Sequence, residues 1–254
     1  MTSHTMLTRF TSGLGLTIPT AFYTALTNSP GVDQDVLAKS VLSVSRIASI
    51  FLIVSYIIYV WFQMRTHHGI FDGIFETDEQ LGQGRDHVLH KPKLTFTECV
   101  CALAVAITLV TIISIALVEE ISYIVESRGI SDAFVGLILV PLVEKAAEHL
   151  TAVDEAWDNQ MNFALSHVLG ATIQTALFNA PLVVVVGWGL GKPMGLQFEL
   201  FNIVVLILSI LVVGNFLRDQ KTNYLEGALC LIVYIIVAVA AYYYPNSPPA
   251  ISGE

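Results

Sequence analysis

Apolar residues fall along this chain in long, almost uncharged runs divided by short polar breaks. A helix rises about 1.5 Å per residue and a bilayer's hydrocarbon core is about 30 Å thick, so roughly 20 apolar residues make one crossing. Six stretches reach that length: 41–64, 94–118, 131–156, 160–190, 198–217 and 223–244. A seventh, 10–27, is shorter and less apolar, and contains Gly13, Gly15 and Pro19. The runs do not alternate, and they far exceed the strands of about ten residues that build membrane barrels. The pattern predicts an all-α, polytopic transmembrane helix bundle of about six to seven spans.

The breaks are of a kind that ends helices. Asn28-Ser29-Pro30-Gly31, His67-His68-Gly69, Ser127-Arg128-Gly129, Trp157-Asp158-Asn159, the stretch from Gly189 to Gly195 with Pro193, and Arg218-Asp219-Gln220-Lys221 close successive runs. These divide the chain into a partial first span and connecting loop (1–40), a span with a weakly acidic loop (41–93), a five-helix membrane domain (94–244) and a disordered tail rich in Pro and Ser (245–254). Of the Lys and Arg residues, Arg9, Arg65, Arg85, Lys91, Lys93, Arg218 and Lys221 fall on one side of the alternating spans. Lys39, Arg46, Arg128 and Lys192 fall on the other, and Lys145 lies within a span. The richer side is expected to be cytosolic, which puts the 72–93 loop in the cytosol.

Composition narrows the choice. The 254 residues are 54% hydrophobic and 13% charged, where soluble domains run near 25% charged, and mean hydropathy is +0.68. A net charge of −9 argues against a nucleic-acid partner, and membrane lipid is the partner the runs imply. Cys99, Cys101 and Cys230 lie in apolar runs and read as small core residues. The first thirty residues lack the compact apolar stretch and small-residue cleavage site of a signal peptide.

The fourth run carries the chemistry. It contains Glu144, Lys145, Glu148 and His149 just after Pro141. One ionisable group at this depth costs about 2.5–3.5 kcal/mol, so four call for a cavity, an ion or mutual pairing. In an unbroken helix Glu144, Glu148, Thr151 and Glu155 share one stripe of oxygens, which suits a hard cation, and Lys145 with His149 forms the next stripe. Pro141 is expected to kink the helix. Internal pairing, Glu144 with Lys145 and Lys145 with Glu148, is the structural alternative. The fifth run repeats small or polar residues at Asn162, Ser166, Gly170 and Gln174, with Thr172 and Thr175 beside them. That spacing fits close helix packing, and Gln174 with the backbone around Gly170 could add oxygens to a site on Glu148. His167 reads as a packed or hydrogen-bonded residue, whereas His149 is better placed for proton transfer.

The Pro-Leu-Val-Glu-Lys-Ala-Ala-Glu-His stretch (141–149), then Gly170-Ala171-Thr172-Ile173-Gln174, resembles the second α-repeat of the cation/proton exchangers, the CAX branch of the calcium/cation antiporter superfamily. Ser45-Arg46, Tyr56, Tyr59 and Phe62-Gln63-Met64-Arg65-Thr66-His67 add to the likeness. The resemblance implies one half of an inverted-repeat exchanger, its 94–244 segment a sodium/calcium exchanger-type membrane domain. It implies calcium (divalent cation)/proton antiport at the vacuolar membrane, with Ca2+ and H+ as cargo and no permanently bound cofactor. Carried across, Glu148 and Gln174 are the metal ligands. The cation/proton site comprises Glu148, His149, Glu144, Gln174, Gly170 and Thr172, with Lys145 modulating it. Glu144-Lys145 stand where the family has Gly-Asn, and Ala171-Thr172 where it has Ser-Ser; the added charges are expected to alter affinity or selectivity.

Residues 1–130 contain no second copy of the motif. The expectation is therefore a half-transporter lacking the first repeat, needing either a chain that carries it or an inverted second copy. The alternative is a truncated or regulatory membrane protein without transport of its own. An intramembrane zinc hydrolase is disfavoured by the absence of His-Glu-x-x-His.

Overall fold

A computed structural model describes residues 3–66, 95–218 and 223–246. The 72–93 loop and residues 247–254 of the tail lie outside the described residues. Every regular element among the described residues is helical. They are α1 (Ser3–Leu26), α2 (Gln34–Trp61), α3 (Phe96–Arg128), α4 (Asp132–Phe134), α5 (Val140–Glu144), α6 (Ala146–Trp157), α7 (Met161–Gln174), α8 (Ala180–Gly189), α9 (Leu200–Phe216) and α10 (Tyr224–Tyr242). Three π-helical turns, Phe62–Thr66, Val135–Leu139 and Thr175–Asn179, continue or join these helices.

Among the described residues, four helices are long and apolar enough to cross a membrane: Gln34–Thr66, Phe96–Val125, Met161–Gly189 and Tyr224–Tyr242. Leu200–Phe216 is apolar but shorter. The run at 131–156, expected as one span, is instead several pieces, because the helix that holds Pro141 stops at Glu144.

Contacts divide the chain into two units: Met1–Leu81 with Glu148–Ile232, and Gly82–Ala147 with Val233–Glu254. In the first, α2 buries Leu37, Val41, Ser45, Ser49 and Leu52, a stripe with three- and four-residue spacing, while Ile47, Ile50 and Phe51 face outward. Leu52 joins Leu16, Ile173, Leu177, Val184 and Leu196 in the core. Gly15 lets α1 approach α2 closely: a Cβ there would lie 2.6 Å from Leu52 Cδ2. Leu196 belongs to the irregular stretch between α8 and α9, whose backbone polar groups need partners where water is excluded. Buried Thr20 supplies two: its hydroxyl donates to the Leu196 carbonyl (3.3 Å) and accepts from the Phe198 amide (2.9 Å). Arg46 lies over the Trp188 ring, 5.1 Å from its centre.

In the second unit, α3 starts at a capping box. The Glu98 amide donates to Thr95 Oγ1 (3.4 Å), and the Thr95 amide donates to Glu98 Oε2 (2.8 Å). It ends at Gly129, whose φ of 64° only glycine adopts without strain. Leu103, Val110 and Ile113 are exposed, as on a helix surrounded by lipid. Cys99 and Cys101 share that outward setting, which corrects their reading as core residues; Cys230 is half-buried. Phe134 meets Tyr242 edge-on at 5.4 Å, and the Asp132 amide donates to Asn246 Oδ1 (2.7 Å).

Candidate functional site

Proline shapes both helices that carry candidate ligands. Lacking an N–H, it cannot complete the helical ladder, and the preceding turn can widen. Before Pro141 the Val140 amide bonds the Val135 carbonyl, five residues back. Before Pro181 the Ala180 amide bonds Thr175 in the same way. Each π turn ends two residues ahead of its proline.

The Pro141 helix then stops. Lys145 leaves helical geometry (φ −97°, ψ 10°), its amide still held by the Pro141 carbonyl at 2.9 Å. A new helix starts at Ala146 and places Glu148 in its first turn. At a helix N-terminus the helix dipole favours negative charge. Glu148 is half-buried, and its Oε2 is closed off from solvent. His149 beside it is exposed, as is Thr151 one turn on.

Because the helix breaks at Lys145, the expected stripe from 144 to 155 does not run through as one face. Glu144 and Lys145 lie in the second unit and pair there, Nζ to Oε1 at 3.3 Å, with Glu144 more exposed than Lys145. This is the first of the two pairings weighed as the structural alternative. Glu148, Thr151 and Glu155 remain together on α6, in the first unit.

The turn after α6 is a Schellman cap. The Gln160 amide reaches back to Glu155 (2.8 Å) and the Asn159 amide to Ala156 (3.2 Å), with Asn159 at φ 62°. It returns the chain so that His167 Nδ1 lies 2.9 Å from Glu155 Oε2. This pairing was missing from the sequence-based site. Its signals were the two residue types and the Asp158-Asn159 turn between them.

On α7, Leu169 and Ile173 are buried, as is Leu177 in the π turn beyond. Gly170, Thr172 and Gln174 lie off that face. A Cβ built on Gly170 meets nothing within 4 Å among the described residues, so none of them packs closely against this glycine. Thr172 is exposed and its hydroxyl donates to the Val168 carbonyl (2.8 Å). Gln174, also exposed, is the last residue of α7 before the Thr175–Asn179 turn. Ser166 closes onto the Asn162 carbonyl (2.7 Å).

Calcium takes about six to eight oxygen ligands. The Glu148 carboxylate, the Gln174 amide oxygen, and hydroxyl or carbonyl oxygens at Gly170 and Thr172 are of the right type. Among the described residues, no three His, Cys, Asp or Glu side chains converge on a point where a metal ion could be held.

Residues 99–243 match the family model described as sodium/calcium exchanger protein. The chain is 33% identical over 230 residues to a vacuolar calcium ion transporter of Schizosaccharomyces pombe, covering 90% of this chain and 52% of that protein. It is 35% identical over 240 residues to a Ca(2+)/H(+) antiporter of Synechocystis sp., covering 92% and 62%. The chain thus spans about half to three fifths of these relatives' length. A solved structure of the selenium-substituted Ca2+/H+ antiporter protein YfkE superposes with a TM-score of 0.70 at 26% identity, covering 94% of this chain and 61% of that one.

Proposed function

The chain belongs to the sodium/calcium exchanger family, and from that premise we propose that it exchanges calcium for protons, with Glu148 as the group that holds one or the other. The observation that carries this reading is the setting of Glu148. It occupies the first turn of a helix restarted at a break, with one carboxylate oxygen closed off from solvent, in a chain whose longest helices suit a bilayer. An acid so placed can bind a divalent cation as the carboxylate and release it on protonation.

In this account Gln174 supplies a neutral oxygen and the Gly170 and Thr172 backbone supplies more. His149 is the neighbouring proton-transfer group. The Glu144–Lys145 pair modulates the field along the approach. Four such residues do not fill a calcium shell. The remaining ligands are assigned to a partner, either a chain bearing the complementary repeat or a second copy of this one. The vacuolar membrane is the proposed location, with the 72–93 loop in the cytosol. The second reading is a truncated or regulatory membrane subunit without flux of its own.

The test is calcium uptake into proteoliposomes driven by an imposed proton gradient. The chain, alone or with its partner, is expected to accumulate calcium, and Glu148→Gln to lose uptake at least tenfold while Glu148→Asp retains part of it. Undiminished uptake by Glu148→Gln rules out the assigned role. No flux under any gradient, with or without a partner, supports the subunit reading.

A further inference from the structure

The first unit holds a cavity of about 350 Å³ between α1, α7, α9 and α10, which shares Thr172 with the candidate site. Its walls are overwhelmingly apolar, with Leu16, Leu169, Leu206 and Val213 among them. Gly13 draws two of those walls together: a Cβ there would lie 2.7 Å from Ile210 Cδ1.

Among the described residues, one charged side chain lines the cavity. Arg9 is only 8% exposed, and its Nη1 is shut off from solvent with no hydrogen-bond partner among the described residues. A guanidinium cannot shed its charge, so burying one of its N–H groups unpaired is costly unless an acceptor enters the cavity. No hydroxyl of the described lining accepts from Nη1, although each keeps lone pairs that could. Ser12 Oγ already donates to the Arg9 carbonyl (2.8 Å), and Thr172 Oγ1 to Val168.

Along α1, Arg9 is the first residue of the lining. Arg9 lies near the start of α1, and Phe216 and Leu217 lie where α9 ends, just before Arg218. From there the lining continues along α9 to Leu206, eleven residues or about 16 Å away. A ligand matching this lining has an anionic head and an apolar tail. The volume is near the lower end of ligand pockets, about 300–1,000 Å³, so it suits one acyl chain rather than a whole two-chain lipid.

We infer that the cavity between α1, α7, α9 and α10 binds an anionic phospholipid, with the phosphate on Arg9 and one acyl chain along Leu16, Leu206 and Val213. Arg favours such an acceptor because its planar fork can donate two hydrogen bonds to phosphate oxygens. The second acyl chain stays in the bilayer. This assignment does not depend on Glu148 or on calcium transport.

The chain carrying Phe216→Trp, in zwitterionic nanodiscs, provides the test. The parent chain, with Trp61, Trp157 and Trp188, sets the fluorescence background. Phosphatidic acid brominated on its acyl chain is expected to quench the added indole at least threefold more than brominated phosphatidylcholine at equal mole fraction. Arg9→Gln should erase that preference. Ser209→Phe, which fills the cavity and leaves Arg9 in place, should bring quenching by both lipids down to background and keeps the test decisive if Arg9→Gln does not fold. Equal quenching by the two lipids overturns the assignment. So does inorganic phosphate raising thermal stability as much as phosphatidic acid does, since the site would then take a free anion.

Discussion

At the scale of single residues, close approaches set this fold as much as bulk does. Gly15 on α1 sits where any side chain would run into Leu52, which is itself almost fully buried. Gly15→Ala forces that leucine to move, and overpacking of this kind costs about 1–3 kcal/mol. Leu52→Ala alone should cost about 2–5 kcal/mol through the cavity it leaves. The two changes share one volume, so the double variant should lose less than the sum of the two, as thermal unfolding in detergent would read out. Additive losses would mean that the helices part instead of repacking. Glu155 and His167 show the opposite case, a contact hidden from the sequence. They are twelve positions apart, on different helices, and meet because Asn159 accepts a left-handed backbone. Helical spacing on α6 alone could not show that.

At the scale of elements, hydropathy made the membrane-length helices legible, because a bilayer demands long apolar runs whatever their detailed packing. The break within 131–156 was not legible in the same way. Pro141 suggested a kink at itself, yet the ladder widens before it at Val135–Leu139 and ends after it at Lys145. The stripe from Glu144 to Glu155 assumed a continuous helix, and Glu144 left it to pair with Lys145. Two of the π turns share a signature, a proline two residues beyond the turn, at 141 and again at 181. Phe62–Thr66 has no such proline, and nothing in its sequence marks it. Pro181→Ala restores an amide that can bond four residues back and let Thr175–Asn179 tighten to α geometry. One residue of register turns a helix by about 100°, which would re-aim Thr172 and Gln174 relative to α8. Uptake should fall at least tenfold at unchanged expression, with slower amide exchange across 175–180. Unchanged uptake with slowed exchange would show that the turn does not position those residues.

At the scale of the whole molecule, the residues form an exchanger-type helical framework carrying one candidate acid in the first unit and a separate ion pair in the second. The resemblance to cation/proton exchangers is legible in the 141–149 and 170–174 motifs, and the matches to the family and its antiporters agree with it. The full ligand shell was not legible, because the two motifs supply only part of the roughly six to eight oxygens that calcium takes. The central claim, that Glu148 trades a cation for a proton, is tested most directly by following proton release as calcium is added to the purified chain, with its partner if one is required, in weakly buffered detergent. The account predicts release from the native chain and none from Glu148→Gln. Equal release from both, or calcium binding that displaces no proton at any pH, would contradict it.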